Sequence, residues 1–370
     1  MWKCVWGGNQ IDYRSSPSRI GNCIQRICIR SNNSTDRVRV HFSNRYGVEP
    51  LVLEHPVFRV GAKAYPLTCK SGNKICLLPG TECNSDPLVV SVLPGDLMEV
   101  TFLVRQQTVL TGGIVIYSTR ELAILHTGAE TGTVITQSEV FAMVRDNNRM
   151  NYVFGVDGID FDCSEQEQTV VAFGDSLTHQ GYWADHLRQR LRESGRKHMT
   201  VVNRGIGGSR ILAGTSPLAD RYQRHGRSGL ERFEPECFGS GIPDLVIVFH
   251  GINDLITRHS RPSDYSYSLD DIIKGLKTYA EIAHRHGTMI WIGTLLPLGR
   301  SIFYCEQLEA ERLLLNAWIR SQKDFDGVMD FDRAVCSAFD SSLLDERWDA
   351  GDGLHISDAG GRVIAETIEL

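Results

Sequence analysis

The sequence predicts a chain of two parts, an all-β sandwich over residues 1–163 followed by an α/β domain with a parallel sheet over residues 168–370. Before residue 163, short apolar runs alternate with turn residues, whereas after residue 168 strand-like runs alternate with amphipathic helical patterns. The segment SEQEQ at 164–168 is polar and lacks apolar anchors, which is typical of a domain boundary.

The first part has the period of half-buried strands. In RVRVHF (37–42) every second residue is apolar, so one face of an extended chain is apolar and the other polar. Similar segments recur at the spacing of an antiparallel, jelly-roll-like sandwich. They are PLVVSVLPGD, LMEVTFLV, GGIVIYST and NYVFGVDGIDF.

The second part has five short, mostly continuous apolar runs, which is typical of strands buried on both faces of a parallel sheet. We expect these strands at 169–174, 200–203, 244–250, 288–294 and 327–331.

Amphipathic helices are expected between these strands. Ser268 is a candidate N-cap, with Asp271 three residues later and Gly287 as the stop signal. Two further helices carry apolar residues at helical spacing, and Ser357 is the expected N-cap of the last helix. Their apolar residues are Trp183, Leu187 and Leu191, and Leu308, Leu315, Trp318 and Ile319. Strands alternating with helices predict a doubly wound sheet, with ligands bound beyond the carboxyl ends of the strands.

Composition narrows the function. The chain has 370 residues, is 42% hydrophobic and 23% charged, and carries a net charge of −6, which argues against a nucleic-acid partner. No secretory signal or membrane-spanning apolar run is visible, so we expect a cytoplasmic protein without a membrane partner. The ten scattered cysteines predict reduced thiols, and the spacing of Cys69, Cys76 and Cys83 does not match a zinc site. No cofactor or metal is expected.

Ser176 follows the first strand of the second part, in the segment VVAFGDSLTHQG. A serine at such a position is by itself more often a turn residue than a nucleophile. The G-x-S-x-G motif of α/β-hydrolases occurs nowhere in the chain, so the role of Ser176 depends on its neighbours.

Other strand ends supply complementary groups. After the second strand, NRGIGG brings Gly207 and Gly208, and after the third, GIND brings Asn253. Glycine lets a backbone N–H approach a ligand closely, and an asparagine amide is a neutral donor, as an oxyanion hole requires. Near the end of the chain, DGLH places Asp352 close enough to orient the imidazole of His355.

The blocks FGDSL, NRGIGG, GIND and DGLH occur in the order of the four signature blocks of the SGNH, or GDSL-type, hydrolases, which residues 168–370 resemble. The resemblance implies a three-layer α/β/α, flavodoxin-like fold with a five-stranded parallel sheet. The first part resembles the β-sandwich that precedes this domain in XynE-like, arylesterase-like acylhydrolases.

The resemblance also implies an esterase that works through a serine acyl-enzyme. Its nucleophile, base and orienting carboxylate are Ser176, His355 and Asp352, and its oxyanion donors are Ser176, Gly208 and Asn253. Gly207 is the alternative to Gly208, which is preferred because it closes the block.

The substrate is the least determined feature. No long apolar lid interrupts the second part, and Trp348 lies on a polar loop near His355, which favours short acyl groups such as acetyl on a carbohydrate. His250 and Trp348 are candidate substrate contacts, with packing as the alternative. The alternative functions are a broad arylesterase or lysophospholipase for longer acyl chains and, in another class, a glycan-binding protein.

Overall fold

The computed structural model describes residues 1–141, 151–195, 198–218, 220–263 and 265–370. The chain forms two compact units. The first contains residues 1–169, 188–202 and 220–224, and the second contains 170–187, 203–219 and 225–370.

Within the described residues, the stretch 1–163 of the first unit consists mainly of antiparallel strands and includes one short helix, α1 (Gln137–Val140). Its strands are β1 (Trp2–Gly7), β2 (Ile11–Asp12), β3 (Ser18–Ile20), β4 (Cys23–Arg30), β5 (Thr35–Ser43), β6 (Leu51–Val60), β7 (Lys63–Pro66), β8 (Lys74–Leu77), β9 (Glu82–Asn84), β10 (Leu88–Val92), β11 (Leu97–Val104), β12 (Thr108–Leu110), β13 (Gly112–Ile116), β14 (Leu122–Gly128), β15 (Val134–Ile135), β16 (Asn151–Val153) and β17 (Gly155–Asp162).

Two of its sheets share one apolar core. One sheet has the order β1-β17-β5-β10, with β9 also on β5, and the other has the order β15-β14-β4-β11-β6-β7, with β8 also on β6. Val40 and Phe42 of the first sheet belong to the same buried cluster as Ile27 and Val100 of the second. The smaller groups β12-β3 and β16-β13-β2 complete the unit. The predicted sandwich is confirmed.

The α/β part lies after these strands along the chain. Its strands are β18 (Gln168–Gly174), β19 (Met199–Gly205), β20 (Leu245–Phe249), β21 (Met289–Gly293) and β22 (Gly327–Met329). Its helices are α2 (Ser176–His179), α3 (Tyr182–Glu193), α4 (Gly229–Phe238), α5 (Ile252–Ser260), α6 (Leu269–Arg285), α7 (Glu306–Ser321), α8 (Phe331–Val335) and α9 (Asp358–Glu366).

The sheet has the order β19-β18-β20-β21-β22, and β18, β20, β21 and β22 pair in parallel. Alternate residues of β20 face opposite helix layers, as the period of a strand requires. Val246 and Val248 belong to the core that includes α4, α5, α6 and α7. Phe249 instead contacts Phe331 of α8, with ring centroids 4.9 Å apart. The predicted three-layer fold is therefore confirmed.

The N-cap residues predicted from the sequence begin helices in the structure. Ser268 caps α6 through the expected capping box with Asp271, and Ser357 caps α9 through the N–H of Gly360. The strand predicted at 327–331 is wrong at its end: β22 stops at Met329. The side chain of Asp330 accepts a hydrogen bond from the N–H of Arg333, which starts α8 at the following residue. Among the helices described, none is long and apolar enough to span a bilayer.

Candidate active site

Ser176 lies at the carboxyl end of β18, as the first residue of α2. Gly174 allows the end of β18 to approach β20 closely, because a Cβ atom there would lie 2.1 Å from the carbonyl oxygen of Phe249 on β20. The buried carboxylate of Asp175 caps α2 by accepting the N–H of Leu177 at 3.1 Å. Burial raises the pKa of Asp175 to about 7. These contacts give Asp175 a structural role at the start of α2.

Ser176, His355 and Asp352 form a chain of hydrogen bonds. The Nε2 atom of His355 lies 2.8 Å from Oγ of Ser176, and its Nδ1 atom lies 2.6 Å from Oδ2 of Asp352. When Nδ1–H donates a hydrogen bond to the carboxylate, Nε2 of the neutral imidazole carries no proton and can accept a hydrogen bond from the serine hydroxyl. The structure thus brings an imidazole within hydrogen-bond distance of a serine hydroxyl that is 179 positions away in sequence.

The loop around Asp352 is ordered by its own backbone donors. The Oδ1 atom of Asp352 accepts the N–H groups of Leu354 and His355, at 3.0 and 2.8 Å. Burial opposes ionisation of Asp352, but the hydrogen bonds from the backbone N–H and the ring of His355 outweigh it and hold the pKa of Asp352 below the ordinary value. Asp349, which the sequence reasoning did not single out, accepts the N–H groups of three residues of the loop. They are Gly351, Asp352 and Gly353.

Gly208 and Asn253 follow the two strands that flank β18, since the sheet order is β19-β18-β20. The carboxyl ends of these three strands lie side by side, which brings both residues to the edge of the sheet where Ser176 lies. The Nδ2 atom of Asn253 is buried and makes no hydrogen bond within the described part of the chain. A buried donor without a partner is costly, and a ligand oxygen would satisfy it.

The two candidate glycines differ in their contacts. The N–H of Gly207 already donates to Nδ1 of His179 at 3.1 Å. In the residues that the structure describes, the N–H of Gly208 makes no such bond. A Cβ atom on Gly207 would lie 3.9 Å from Cβ of Ser176, so the glycine loop runs beside the serine. These contacts favour Gly208 over Gly207 as a donor to a bound ligand.

His250 and Asp254 are buried rather than exposed to a ligand. His250 is 1% exposed, and its Nδ1 atom lies 3.2 Å from the hydroxyl of Tyr279. Burial lowers the pKa of His250 to about 3, so this ring is neutral. The carboxylate of Asp254 accepts the N–H of Ile211 at 2.9 and 3.0 Å and that of Leu212 at 3.3 Å. Both side chains are therefore buried and hydrogen-bonded within the protein.

Trp348 is half-buried on the loop that leads to Asp352. The guanidinium carbon of Arg347 lies 4.8 Å from the centre of its ring. Its carbonyl accepts the N–H of Ser357, the cap of α9, at 2.7 Å. These contacts account for its packing, and its proposed contact with substrate remains a prediction.

The sequence reasoning missed His179 and His225, which both contact Gly207. His179 lies one helical turn after Ser176, a spacing visible in the sequence. No local signal points to His225, which approaches from the chain beyond Thr215. Among the described side chains, no group of three histidine, cysteine or acidic residues is arranged to hold a metal ion.

Comparison with known proteins gives one family. The model of the GDSL-like lipase/acylhydrolase family matches residues 172–363, more than half of the chain. A search of curated proteins gives no significant match.

Three solved structures are similar to about half of the chain. An acetyl xylan esterase, AlAXEase, is 19% identical, with 54% of this chain and 96% of that chain covered and a TM-score of 0.43. The acetylxylan esterase Axe2 from Geobacillus stearothermophilus, solved as a catalytic mutant, is 18% identical, with coverage of 54% and 91% and a TM-score of 0.42. A GDSL-like lipase from Bacteroides thetaiotaomicron is 17% identical, with coverage of 55% and 87% and a TM-score of 0.40.

Replacing Asp254 by alanine should destabilise the protein, because the amide groups of Ile211 and Leu212 lose their buried acceptor. We expect about 1–3 kcal/mol of unfolding free energy for each donor left unsatisfied, measured by urea denaturation. The matched variant Asp254→Asn keeps one carbonyl oxygen at this position and should retain most of the stability. If Asp254→Ala and Asp254→Asn had the same free energy of unfolding, the hydrogen bonds from Ile211 and Leu212 would contribute little to stability.

Proposed function

Because the chain belongs to the GDSL-like lipase/acylhydrolase family and is a carboxylic ester hydrolase, we propose that it cleaves short acyl esters of carbohydrates through an acyl-enzyme on Ser176. The hydrogen-bonded chain of Ser176, His355 and Asp352 is the observation that carries the proposed mechanism. In this proposal Ser176 is the nucleophile, His355 is the base and Asp352 orients the imidazole.

In the proposed first step, Oγ of Ser176 attacks the ester carbonyl carbon while Nε2 of His355 takes the hydroxyl proton. Asp352 keeps the Nδ1 proton on the ring and stabilises the imidazolium that forms. Collapse of the tetrahedral intermediate breaks the bond to the alkoxy oxygen, which leaves as an alcohol with the proton from His355. Water then repeats the sequence on the acyl-enzyme, releasing the acid and restoring the serine hydroxyl.

The negative oxygen of each tetrahedral intermediate needs donors that are already in place. The proposed donors are the N–H groups of Ser176 and Gly208 and the Nδ2 group of Asn253. Two observations support them: Nδ2 of Asn253 is buried without a partner, and the N–H of Gly208 is unbonded within the described residues. Ser176 is the first residue of α2, where a backbone N–H has no acceptor within its own helix.

The solvent exposure of Asp352 and His355 supports a substrate in which the ester group is attached to a large, polar molecule. The side chain of Asp352 is 53% exposed and that of His355 is 26% exposed. A base at the surface can reach an acetyl group on a sugar or polysaccharide without removing the whole substrate from water. Half-buried Trp348 offers an aromatic face near the same loop.

One observation favours the alternative of longer acyl or aryl esters. Three consecutive apolar side chains, Ile302, Phe303 and Tyr304, are exposed by 91%, 40% and 38%. The loop that carries them touches the Asp352 loop, since a Cβ atom on Gly353 would lie 2.7 Å from the backbone nitrogen of Ser301. An apolar surface beside the base could bind a hydrocarbon group.

Replacing Ser176 by alanine should abolish turnover of nitrophenyl acetate, with a loss of about 10⁴-fold or more. It should also abolish covalent labelling by an organophosphonate, detected by mass spectrometry. Asp352→Asn should impair turnover less than His355→Ala, since orientation contributes less than the base. Ser321→Ala, at the exposed end of α7, is the control. Full activity in Ser176→Ala would end the proposed mechanism.

Replacing Asn253 by alanine should lower kcat by about 100- to 1,000-fold with little change in KM, because the donor acts mainly on the transition state. Steady-state kinetics with nitrophenyl acetate measure both constants. Ser260→Ala, on the same helix α5, should behave as the unmodified protein. If KM rose and kcat stayed the same, Asn253 would instead contribute to binding of the substrate in its ground state.

A series of nitrophenyl esters of increasing acyl length, together with acetylated xylo-oligosaccharides, separates the two substrate classes. For a short-acyl carbohydrate esterase, kcat/KM should peak at acetate, and Ile302→Ser with Phe303→Ser should leave it unchanged. A peak at long chains that this double variant removes would support the lipid-like class. Leu314→Ser, at an exposed position on α7, controls for loss of surface apolarity.

A further inference from the structure

We infer that His179 and His225 are positioning residues that hold the Gly207–Gly208 peptide as an oxyanion donor, an inference that rests on the proposed function. Both polar groups of Gly207 are bound by histidines. Its N–H donates to Nδ1 of His179 at 3.1 Å, and its carbonyl oxygen lies 2.8 Å from Nδ1 of His225.

These contacts fix the protons on both rings. A backbone N–H can only donate, so Nδ1 of His179 carries no proton and the ring is neutral, with its proton on Nε2. A carbonyl oxygen can only accept, so Nδ1 of His225 carries a proton. The two imidazoles therefore bind Gly207 in complementary roles, one as acceptor and one as donor.

The geometry of the peptide unit links the orientation of the Gly207 carbonyl to that of the Gly208 N–H. The carbonyl of Gly207 and the N–H of Gly208 belong to one planar trans unit, so they point in opposite directions. When His225 fixes the direction of the carbonyl, it also fixes the direction of the N–H. That N–H makes no hydrogen bond in the described part of the chain, as a donor reserved for a ligand would require.

Packing leaves the glycine pair little room to turn. Gly208 has φ +75°, and a Cβ atom on it would lie 2.3 Å from Nδ1 of His225. The N–H of His225 donates to Oγ1 of Thr215 at 2.9 Å, which anchors the residue. His179 lies on α2 with Ser176, so it joins the helix of the proposed nucleophile to the glycine loop.

Alanine variants at His179 and His225 test the inference. Each should lower kcat for nitrophenyl acetate by about 100-fold, as a misdirected donor would, with KM nearly unchanged. Their affinity for an alkyl boronic acid, which forms a tetrahedral adduct on the serine, should fall in parallel with kcat. Thermal unfolding should show that the variants are folded.

Conservative variants separate positioning from general packing. His179→Asn retains an acceptor oxygen and His225→Asn retains a donor, each near the position of Nδ1, so both should recover most of the lost kcat. His284→Ala, at an exposed site on α6, should match the unmodified protein.

The outcomes separate this inference from the proposed function. If Ser176→Ala remains active, the proposed mechanism fails whatever the histidine variants do. If Ser176→Ala is inactive but the alanine variants at His179 and His225 keep full kcat and boronic acid affinity, only the positioning role fails. Equal losses in the alanine and asparagine variants would also overturn it.

Discussion

The close approach of two parallel strands underlies the site. Gly174 of β18 pairs with Phe249 of β20, and a side chain at Gly174 would collide with the carbonyl oxygen of Phe249. Because these strand ends meet, the helices that begin just after them start at one edge of the sheet. That edge receives Ser176 from α2 and Asn253 from α5.

A buried carboxylate and a partly exposed carboxylate have different roles near this edge of the sheet. Asp254 is fully buried, and burial raises its pKa to about 6 while its carboxylate holds the amide groups of Ile211 and Leu212. The partly exposed Asp352 instead has a lowered pKa, because His355 and local amides stabilise its charge. The first carboxylate fixes backbone beyond the glycine loop, and the second orients an imidazole. Their burial and their partners account for the contrast.

The sequence was sufficient for those features that depend on local pattern. Period-2 alternation located β5, and the capping signals at Ser268 and Ser357 located the starts of α6 and α9. The end of β22 was missed, because a single Asp330 side chain decides it by capping α8. His225 was missed for a different reason: it contacts Gly207 across a turn of the chain, at a separation that no periodicity encodes.

The sequence by itself determined the fold class and the four motif blocks, since each depends on residues close together along the chain. Only the tertiary structure decided that His355 reaches Ser176 and that His250 is buried. It also decided that the N–H of Gly207 donates a hydrogen bond to His179 and is not available to a ligand. The physical reason is that sheet order sets which strand ends are neighbours. Hydrogen bonds and burial at those ends depend on that order, which local patterns do not specify.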